Sequence, residues 1–239
     1  QGYSSAASDV YKRQSKKMSL AQKVNILRAS VMGANDGIIS IAGIVIGVAA
    51  ATNNAYSILI SGLSGTLAGM ISMCMGEYVS VSTQKDSQKM ALISERQRLD
   101  DQYQEEFNYV QQKYEDQDID PKLAKQATKE LMDKDALSTV VQERYGFNPK
   151  DFTSPYAAAI ASFISFPTGS VLPMLAVTLA PAESRILATA IAVLIALLIT
   201  GYCAAILSNS NRLKSSIRNA IAGLLTMGVT YIIGQLLAH

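Results

Sequence analysis

The stretch ASVMGANDGIISIAGIVIGVAAA, residues 29–51, decides the fold class of this chain. From Ile38 onward it is almost wholly apolar, and it is long enough to cross a bilayer as a helix, which takes about 20 residues. A carboxylate, Asp36, stands at the head of the apolar run. Either Asp36 caps a helix that begins at Gly37, or it lies in a membrane segment, where acids are rare and usually functional.

Four further apolar runs follow, and together with the first they predict an all-α membrane protein with five transmembrane helices. The runs are continuous rather than alternating in polarity, which excludes a transmembrane β-barrel. The five predicted spans cover roughly residues 29–51, 57–81, 154–179, 186–207 and 217–237.

Charged residues are concentrated between spans two and three. The chain of 239 residues is 49% hydrophobic and 17% charged, yet residues 84–150 hold 14 of its 19 acidic and 11 of its 21 basic residues. This segregation indicates a water-exposed acidic insert within a membrane protein. We therefore assign membrane helices 1 and 2 to residues 18–83, the insert to residues 84–150 and membrane helices 3 to 5 to residues 151–239.

The insert is predicted to consist of helices. Span two continues without Gly or Pro to about Gln112, which favours one long helix that leaves the membrane. Asp120 as N-cap and Pro121 in the first turn are typical of a second helix start, and Gly146 is expected to end that helix.

Basic residues in the loops predict the orientation of the spans. Lys and Arg residues precede span one, are frequent in the insert and occupy the loop between spans four and five. The loop between spans one and two and the loop between spans three and four together contain one basic residue, Arg185. By the positive-inside rule, the N-terminus and the insert are expected to be cytoplasmic. Residues 1–17 are interpreted as a non-native or disordered tail that precedes a start at Met18.

The sequence lacks the motifs of common enzyme classes. His239 is the only histidine, so Glu-x-x-His metal ligation and a Ser/His/Asp triad are excluded, and no Walker A or GxGxxG motif is present. We expect no enzymatic activity, and any transport is expected to use ion gradients. The net charge of +2 gives no indication of a nucleic-acid partner.

Span two carries a second intramembrane acid. Glu77 follows Met73 by four residues, so the carboxylate and the thioether share a helix face. A mixed oxygen and sulfur ligand set suits Fe²⁺ or Mn²⁺ better than Na⁺ or Mg²⁺. The alternative for Glu77 is a position in the headgroup region, and Met70 and Met75 are interpreted as packing residues.

Small residues along the spans predict close helix packing. Glycines recur four residues apart in spans one and two, a spacing that lets membrane helices approach within a chain or across a dimer. Such an approach is expected to bring Asp36 within reach of Met73 and Glu77. Pro167 and Pro173 in span three predict a break that lines a transport path or a simple kink.

Three stretches of this chain resemble the vacuolar iron transporter (VIT) family: GANDGIISIAGIVIGVAAA, SGLSGTLAGMISMCMGEYVSVSTQKD and SFISFPTGSVLPML. The resemblance covers nearly the whole chain from Met18. It implies a homodimer that moves Fe²⁺ or Mn²⁺ out of the cytosol in exchange for protons, here in a bacterial cell membrane.

The resemblance also implies which residues hold the metal. It suggests metal ligands in the pathway and in the insert, at Asp36, Met73, Glu77, Glu95, Glu106 and Glu143. This chain departs from the family pattern at three ligand positions, which are occupied by Gly65, Arg98 and Tyr109.

Two functional hypotheses remain open. In the first, the protein is a metal carrier in iron and manganese homeostasis, with the ion as cargo and no prosthetic group. In the second, it is a membrane-anchored metal sensor or storage module, in which the insert binds metal and the spans only anchor it.

Overall fold

A computed structural model describes residues 20–238, and six α-helices account for most of them. The helices are α1 (Leu20–Ala51), α2 (Ala55–Glu115), α3 (Pro121–Tyr145), α4 (Pro155–Leu179), α5 (Arg185–Leu207) and α6 (Arg212–Leu237). Within residues 20–238 there is no strand, and every helix except α3 contains a segment long and apolar enough to cross a membrane. The predicted all-α fold with five spans is confirmed. The interpretation of residues 1–17 falls outside the described residues.

Helix α1 is longer than its apolar run. It begins at Leu20, nine residues before the predicted span, because the segment LAQKVNILR contains no helix breaker. Asp36 therefore lies in the middle of a continuous helix of 32 residues. The interpretation of Asp36 as the N-cap of a helix beginning at Gly37 is wrong, since that position is already about four turns inside α1.

Helix α2 extends well beyond its membrane segment, as predicted. It runs for 61 residues, with one non-helical residue at Gln102, where φ is −143° and ψ is 44°. The described chain divides into two compact units. The membrane unit comprises residues 24–79 and 155–238, and the insert unit comprises residues 80–154 with residues 20–23.

Helix α1 lies at the centre of the membrane unit and contributes to two buried clusters. One face packs on α5 and α6, and the other packs on α2 and α4. The first cluster contains Ile38, Ala42, Ile46, Val193, Leu197 and Met227. The second contains Ile41, Val45, Ile58, Phe166 and Val177.

Glycines allow α1 to approach its neighbours closely. A Cβ added at Gly37 would collide with the backbone carbonyl of Phe166 on α4, and one at Gly169 would collide with the carbonyl of Ala34 on α1. On the other side, a Cβ at Gly234 of α6 would collide with the carbonyl of Gly47. The predicted close packing is confirmed, and at these positions the partners of α1 are α4 and α6.

Helix α4 continues through both of its prolines. Pro167 and Pro173 lie inside the helix Pro155–Leu179, so the path-lining break that the sequence suggested is not formed. Each proline still removes one backbone donor from the helix. Independently of the prolines, the Ser170 hydroxyl donates a hydrogen bond of 2.9 Å to the Phe166 carbonyl, which lies at the contact with α1.

The insert unit has its own core and its own capped helix. Val110, Met132 and Val140 form a buried cluster between α2 and α3. Asp120 accepts hydrogen bonds from the first backbone N–H groups of α3, and Gly146, with φ of 73°, ends the helix. Both predicted helix boundaries are therefore confirmed.

The close contact between α1 and α4 predicts a strong effect of a single methyl group. Replacing Gly37 by Ala should lower the free energy of unfolding by about 1–3 kcal/mol, because the new Cβ meets a backbone carbonyl that cannot move aside. Thermal unfolding of the detergent-solubilised protein measures the effect. Gly228→Ala is the matched control, since a Cβ there meets nothing within 4 Å, and equal melting temperatures for the two variants would contradict the prediction.

A break within α3 predicts a pH-dependent contribution to stability. Asp135 has non-helical backbone angles and restarts the helix by accepting hydrogen bonds from Ser138. A hydrogen bond from Lys150, followed by those from Ser138, lowers the pKa of Asp135 from 3.8 to about 2. The stabilisation is therefore complete above pH 3.8 and is lost as the pH falls through about 2.

Asp135→Asn should accordingly destabilise the insert by about 1 kcal/mol at neutral pH and have little effect near pH 2. Hydrogen exchange of α3 at neutral pH and circular dichroism across the acid range measure the two limits. Asp133→Asn, an exposed neighbour on the same helix, should leave both unchanged. A difference between Asp135→Asn and the wild type that is independent of pH would refute the assignment.

Candidate functional site

Asp36 presents an ionisable group in the middle of a membrane helix. Its side chain is exposed on the surface of the single chain and accepts a hydrogen bond of 3.0 Å from the Ser40 hydroxyl, one turn further along α1. No salt bridge to Asp36 is formed within residues 20–238. A carboxylate at this depth without a cation partner is costly in lipid, which is typical of a functional group.

Glu77 is buried and holds a cation. Its side chain is 8% exposed, and its Oε2 atom lies 2.8 Å from Nη2 of Arg28 on α1. The carboxylate is enclosed by protein at whatever depth of the membrane it lies, so both the intramembrane and the headgroup positions of Glu77 stay open. Removing Arg28 would leave a desolvated charge without a partner, which is strongly unfavourable.

Arg28 has two further partners on its own helix. Its guanidinium donates to Oδ1 of Asn25 at 3.1 Å and contacts Sδ of Met32 at 3.3 Å. Two oxygens and one sulfur therefore surround this guanidinium. Arg28, Asn25 and Met32 were not predicted as site residues, because nothing local in the sequence links them to Glu77, which is 49 residues from Arg28.

Glu77, Met73 and Asp36 lie at successive levels of the membrane unit. Three residues connect α1 to α2, so the two helices are antiparallel neighbours. Met73 is one turn from Glu77 toward that connection. Arg28 marks the level of Glu77 on α1 because the two side chains are paired. Asp36 is eight residues, or about 12 Å, from Arg28 in the same direction. The three predicted ligands thus form a series rather than one coordination sphere.

Met73 borders the second core cluster of the membrane unit. Its side chain is half-buried and packs against that cluster together with Met70. At Gly65, two turns before Met73, a Cβ would meet Cδ1 atoms of Ile41 and Ile44. The position at which the family resemblance implied a further acid therefore faces apolar side chains in this chain.

Glu95 in the insert unit is completely buried and receives three donors on one oxygen. Its Oε1 atom accepts from Nη1 of Arg98 at 3.2 Å, from Nη1 of Arg144 at 3.3 Å and from the Tyr145 hydroxyl at 3.0 Å. Its Oε2 atom has no hydrogen-bond partner. Burial, together with the Glu95 carboxylate, raises the pKa of Tyr145.

Arg144 joins two of the predicted metal ligands. Besides Glu95, it pairs with Glu106, whose Oε2 atom lies 2.6 Å from Nη2 of Arg144. The guanidinium also stacks on the Tyr109 ring, 4.2 Å from the ring centroid. A resident cation thus occupies the space between two carboxylates that were predicted to bind metal.

Two of the departures from the family pattern help to build this arrangement. Arg98 and Tyr109 stand where the resemblance implied metal ligands, and in the structure Arg98 pairs with Glu95 while Tyr109 supports Arg144. Arg144 itself was missed, although its position next to Glu143 in a charged block was a weak signal.

Glu143 has different partners from the other two glutamates of the insert. It accepts a hydrogen bond of 2.9 Å from the Tyr114 hydroxyl and lies 3.6 Å from Nζ of Lys113. Burial and the carboxylate of Glu143 raise the pKa of Tyr114 to about 12. Within residues 20–238, no three His, Cys, Asp or Glu side chains converge into a metal-binding group.

Comparisons with known proteins give a consistent match. A sequence model described as the VIT family matches residues 27–235. A "Vacuolar iron transporter" of Acanthamoeba castellanii is 34% identical over 211 residues, covering 88% of this chain and 78% of that protein. "Vacuolar iron transporter homolog 1" of Oryza sativa subsp. japonica is 32% identical over 206 residues, covering 86% of this chain and 71% of that protein. "Vacuolar iron transporter homolog 3" of Arabidopsis thaliana is 30% identical over 224 residues, covering 93% and 88%.

The ion pairs of the insert predict a large stability effect at Arg144. Replacing Arg144 by Gln should destabilise the insert unit by about 3 kcal/mol, because Glu95 is fully buried and Glu106 nearly so. Hydrogen exchange across α2 and α3 of the full chain measures the loss. The matched control is Arg96→Gln on the exposed face of α2, and equal protection in both variants would contradict the prediction.

Proposed function

The chain belongs to the VIT family, and we propose that it is a membrane carrier that moves divalent transition metal ions, Fe²⁺ or Mn²⁺, out of the cytosol in exchange for protons. The five membrane helices and the relatives named vacuolar iron transporters support transport of iron. Manganese, proton exchange and the direction of transport come from the family resemblance and are part of the proposal.

The proposal depends on the position of Asp36 and on its lack of a salt bridge to any described residue. It is a carboxylate in the middle of a membrane helix with no salt bridge from the described residues. A passing metal ion is a suitable partner for such a group, and uptake of a proton by Asp36 would cancel the charge and release the ion. Proton exchange then follows from competition for one carboxylate.

The arrangement of ligands supports a path across the membrane unit. Glu77, Met73 and Asp36 lie at three successive levels, spaced by about 6 Å along the helices. Carboxylate oxygens and a thioether match the preference of Fe²⁺ and related ions for mixed ligands. An ion that moves from one level to the next exchanges one partner at a time.

We propose the orientation that the basic loops predict, with the N-terminus and the insert in the cytosol of a bacterial cell. Glu77 then receives the ion on the cytosolic side, before Met73 and Asp36. We also propose a homodimer, because Asp36 is exposed on the surface of the single chain. A second copy would shield this carboxylate from lipid.

The glutamates of the insert are proposed to gather metal before transport. Glu95 retains one buried oxygen, Oε2, without a hydrogen-bond partner, which leaves this oxygen able to coordinate a metal ion. Glu95 and Glu106 already hold Arg144, and Glu143 holds Lys113. Metal binding at these positions must displace a resident cation, so we expect it to be weak.

One feature favours the alternative of a metal sensor or storage module. The insert unit is compact and has its own core around Val110 and Met132. A sensor of this kind needs the carboxylates of the insert and not Asp36. Replacing Asp36 therefore separates the two functions without disturbing the insert.

Asp36→Asn should reduce metal flux at least a hundredfold while the variant folds normally, because the amide cannot carry the charge that holds the ion. The measurement is uptake into proteoliposomes of Mn²⁺, and of Fe²⁺ under anoxic conditions, with and without a pH gradient. Wild-type flux should saturate with metal concentration and rise with the gradient.

Asp133→Asn is the control, since this aspartate is exposed on α3 and has no proposed role. Its flux should equal that of the wild type. Normal flux in Asp36→Asn would overturn the mechanism. Absence of flux in the wild type, with metal still bound by the solubilised protein, would favour the sensor.

A further inference from the structure

We infer that the guanidinium of Arg28 is a tethered cation that fills a metal site in the membrane unit, formed by Glu77, Asn25 and Met32, and that an incoming divalent metal ion displaces it. The assignment of Asn25 and Met32 as ligands and of Arg28 as the exchanging group goes beyond the proposed pathway. The inference relies on the proposed function for the cargo and for the direction from which the ion enters.

The groups around the Arg28 guanidinium are all potential metal ligands. Glu77 Oε2 lies at 2.8 Å, Asn25 Oδ1 at 3.1 Å and Met32 Sδ at 3.3 Å from guanidinium nitrogens. A carboxylate, an amide oxygen and a thioether are all acceptors, and none of these atoms donates a proton. The same three groups form a mixed oxygen and sulfur set that suits a divalent transition metal.

The side-chain amide of Asn25 is oriented with its oxygen toward Arg28. Its Nδ2 atom is buried and has no hydrogen-bond partner, while its Oδ1 atom accepts from Arg28. An amide that leaves its buried donor unsatisfied is oriented by the cation in front of its oxygen. The carbonyl oxygen is therefore already directed at the position where a metal ion would replace the guanidinium.

Arg28 has space to move away from Glu77. Its side chain is 45% exposed, in contrast to the 8% of Glu77. Arg28 and Met32 line an open cavity of about 350 Å³ together with Ser208 and Ser215. After displacement, the half-exposed guanidinium can move away from Glu77 toward the open side of this cavity, which Arg218 also lines, while the metal takes its place against Glu77.

The exchange solves an energetic problem of the transport cycle. A carboxylate as buried as Glu77 is very unfavourable when no cation accompanies it. With Arg28 on a flexible side chain, Glu77 is paired both before the metal arrives and after it leaves toward Met73. The cost of this arrangement is a lower affinity for the ion, because each binding event must break the ion pair.

The test is Mn²⁺ binding to the full-length protein in detergent, measured by loss of the electron paramagnetic resonance signal of free Mn²⁺. Arg28→Gln should bind Mn²⁺ on the order of tenfold more tightly than the wild type, because the competing cation is gone. Adding Glu77→Gln should abolish this gain, and adding Met32→Leu should reduce it. Arg28→Lys, which keeps a positive charge but loses the planar set of donors, should show an intermediate affinity.

Arg212→Gln is the matched control, because it removes the same charge from an exposed arginine of the membrane unit that has no acidic partner in the described residues. It should leave Mn²⁺ affinity within about twofold of the wild type. Equal affinity of Arg28→Gln and the wild type, or an equal gain in Arg212→Gln, would overturn the inference. If Arg28→Gln does not fold, unchanged affinity in Arg28→Lys would overturn it instead.

The outcome is independent of the test for transport. Tighter binding in Arg28→Gln that depends on Glu77 would support the site even if wild-type proteoliposomes show no flux. Normal flux in the wild type without tighter binding in Arg28→Gln would retain the carrier and reject the exchange.

Discussion

A carboxylate that is removed from water needs a cation beside it, and this requirement organises both units of the protein. The buried acids among the described residues are Glu77, Glu95 and Glu106. Each is paired with an arginine: Glu77 with Arg28 in the membrane unit, and both glutamates of the insert with Arg144. With Glu143, which lies 3.6 Å from Nζ of Lys113, four of the six residues that the sequence suggested as metal ligands already hold an internal cation.

Asp36 differs from these acids in a way that suits a transport function. It lies at mid-helix but faces the surface of the single chain, and its recorded partner is a neutral hydroxyl. The lack of an internal counter-charge among the described residues is the reason for proposing that Asp36 binds the transported ion. Glu77 and Asp36 thus represent two solutions for a membrane carboxylate: one carries a tethered cation, and the other remains available to an ion from outside the chain.

The scaffold that holds these groups depends on the central position of α1. Backbone carbonyls of α1 and α4 lie where a side chain at Gly37 or Gly169 would collide with them, and α6 approaches α1 in the same manner at Gly234. Contacts through glycine leave little freedom for the helices to slide or rotate. The height of Asp36 relative to α4 and α6 is consequently set by these backbone contacts of α1.

The fold class, the five spans, the long second helix and the boundaries of α3 could all be predicted, because each follows from local hydrophobicity or from a cap such as Asp120 or Gly146. The sequence also indicated Asp36 and Glu77 as acids in membrane segments. The segment LAQKVNILR contains no helix breaker, so the start of α1 at Leu20, which makes Asp36 a mid-helix residue, was also encoded locally. The pairing of the buried glutamates with arginines, in contrast, depends on tertiary packing. Arg28 and Glu77 are 49 residues apart, as are Arg144 and Glu95. A local pattern records the preference of each residue for helix or lipid, but the partner that neutralises a buried charge is selected by which helices pack together.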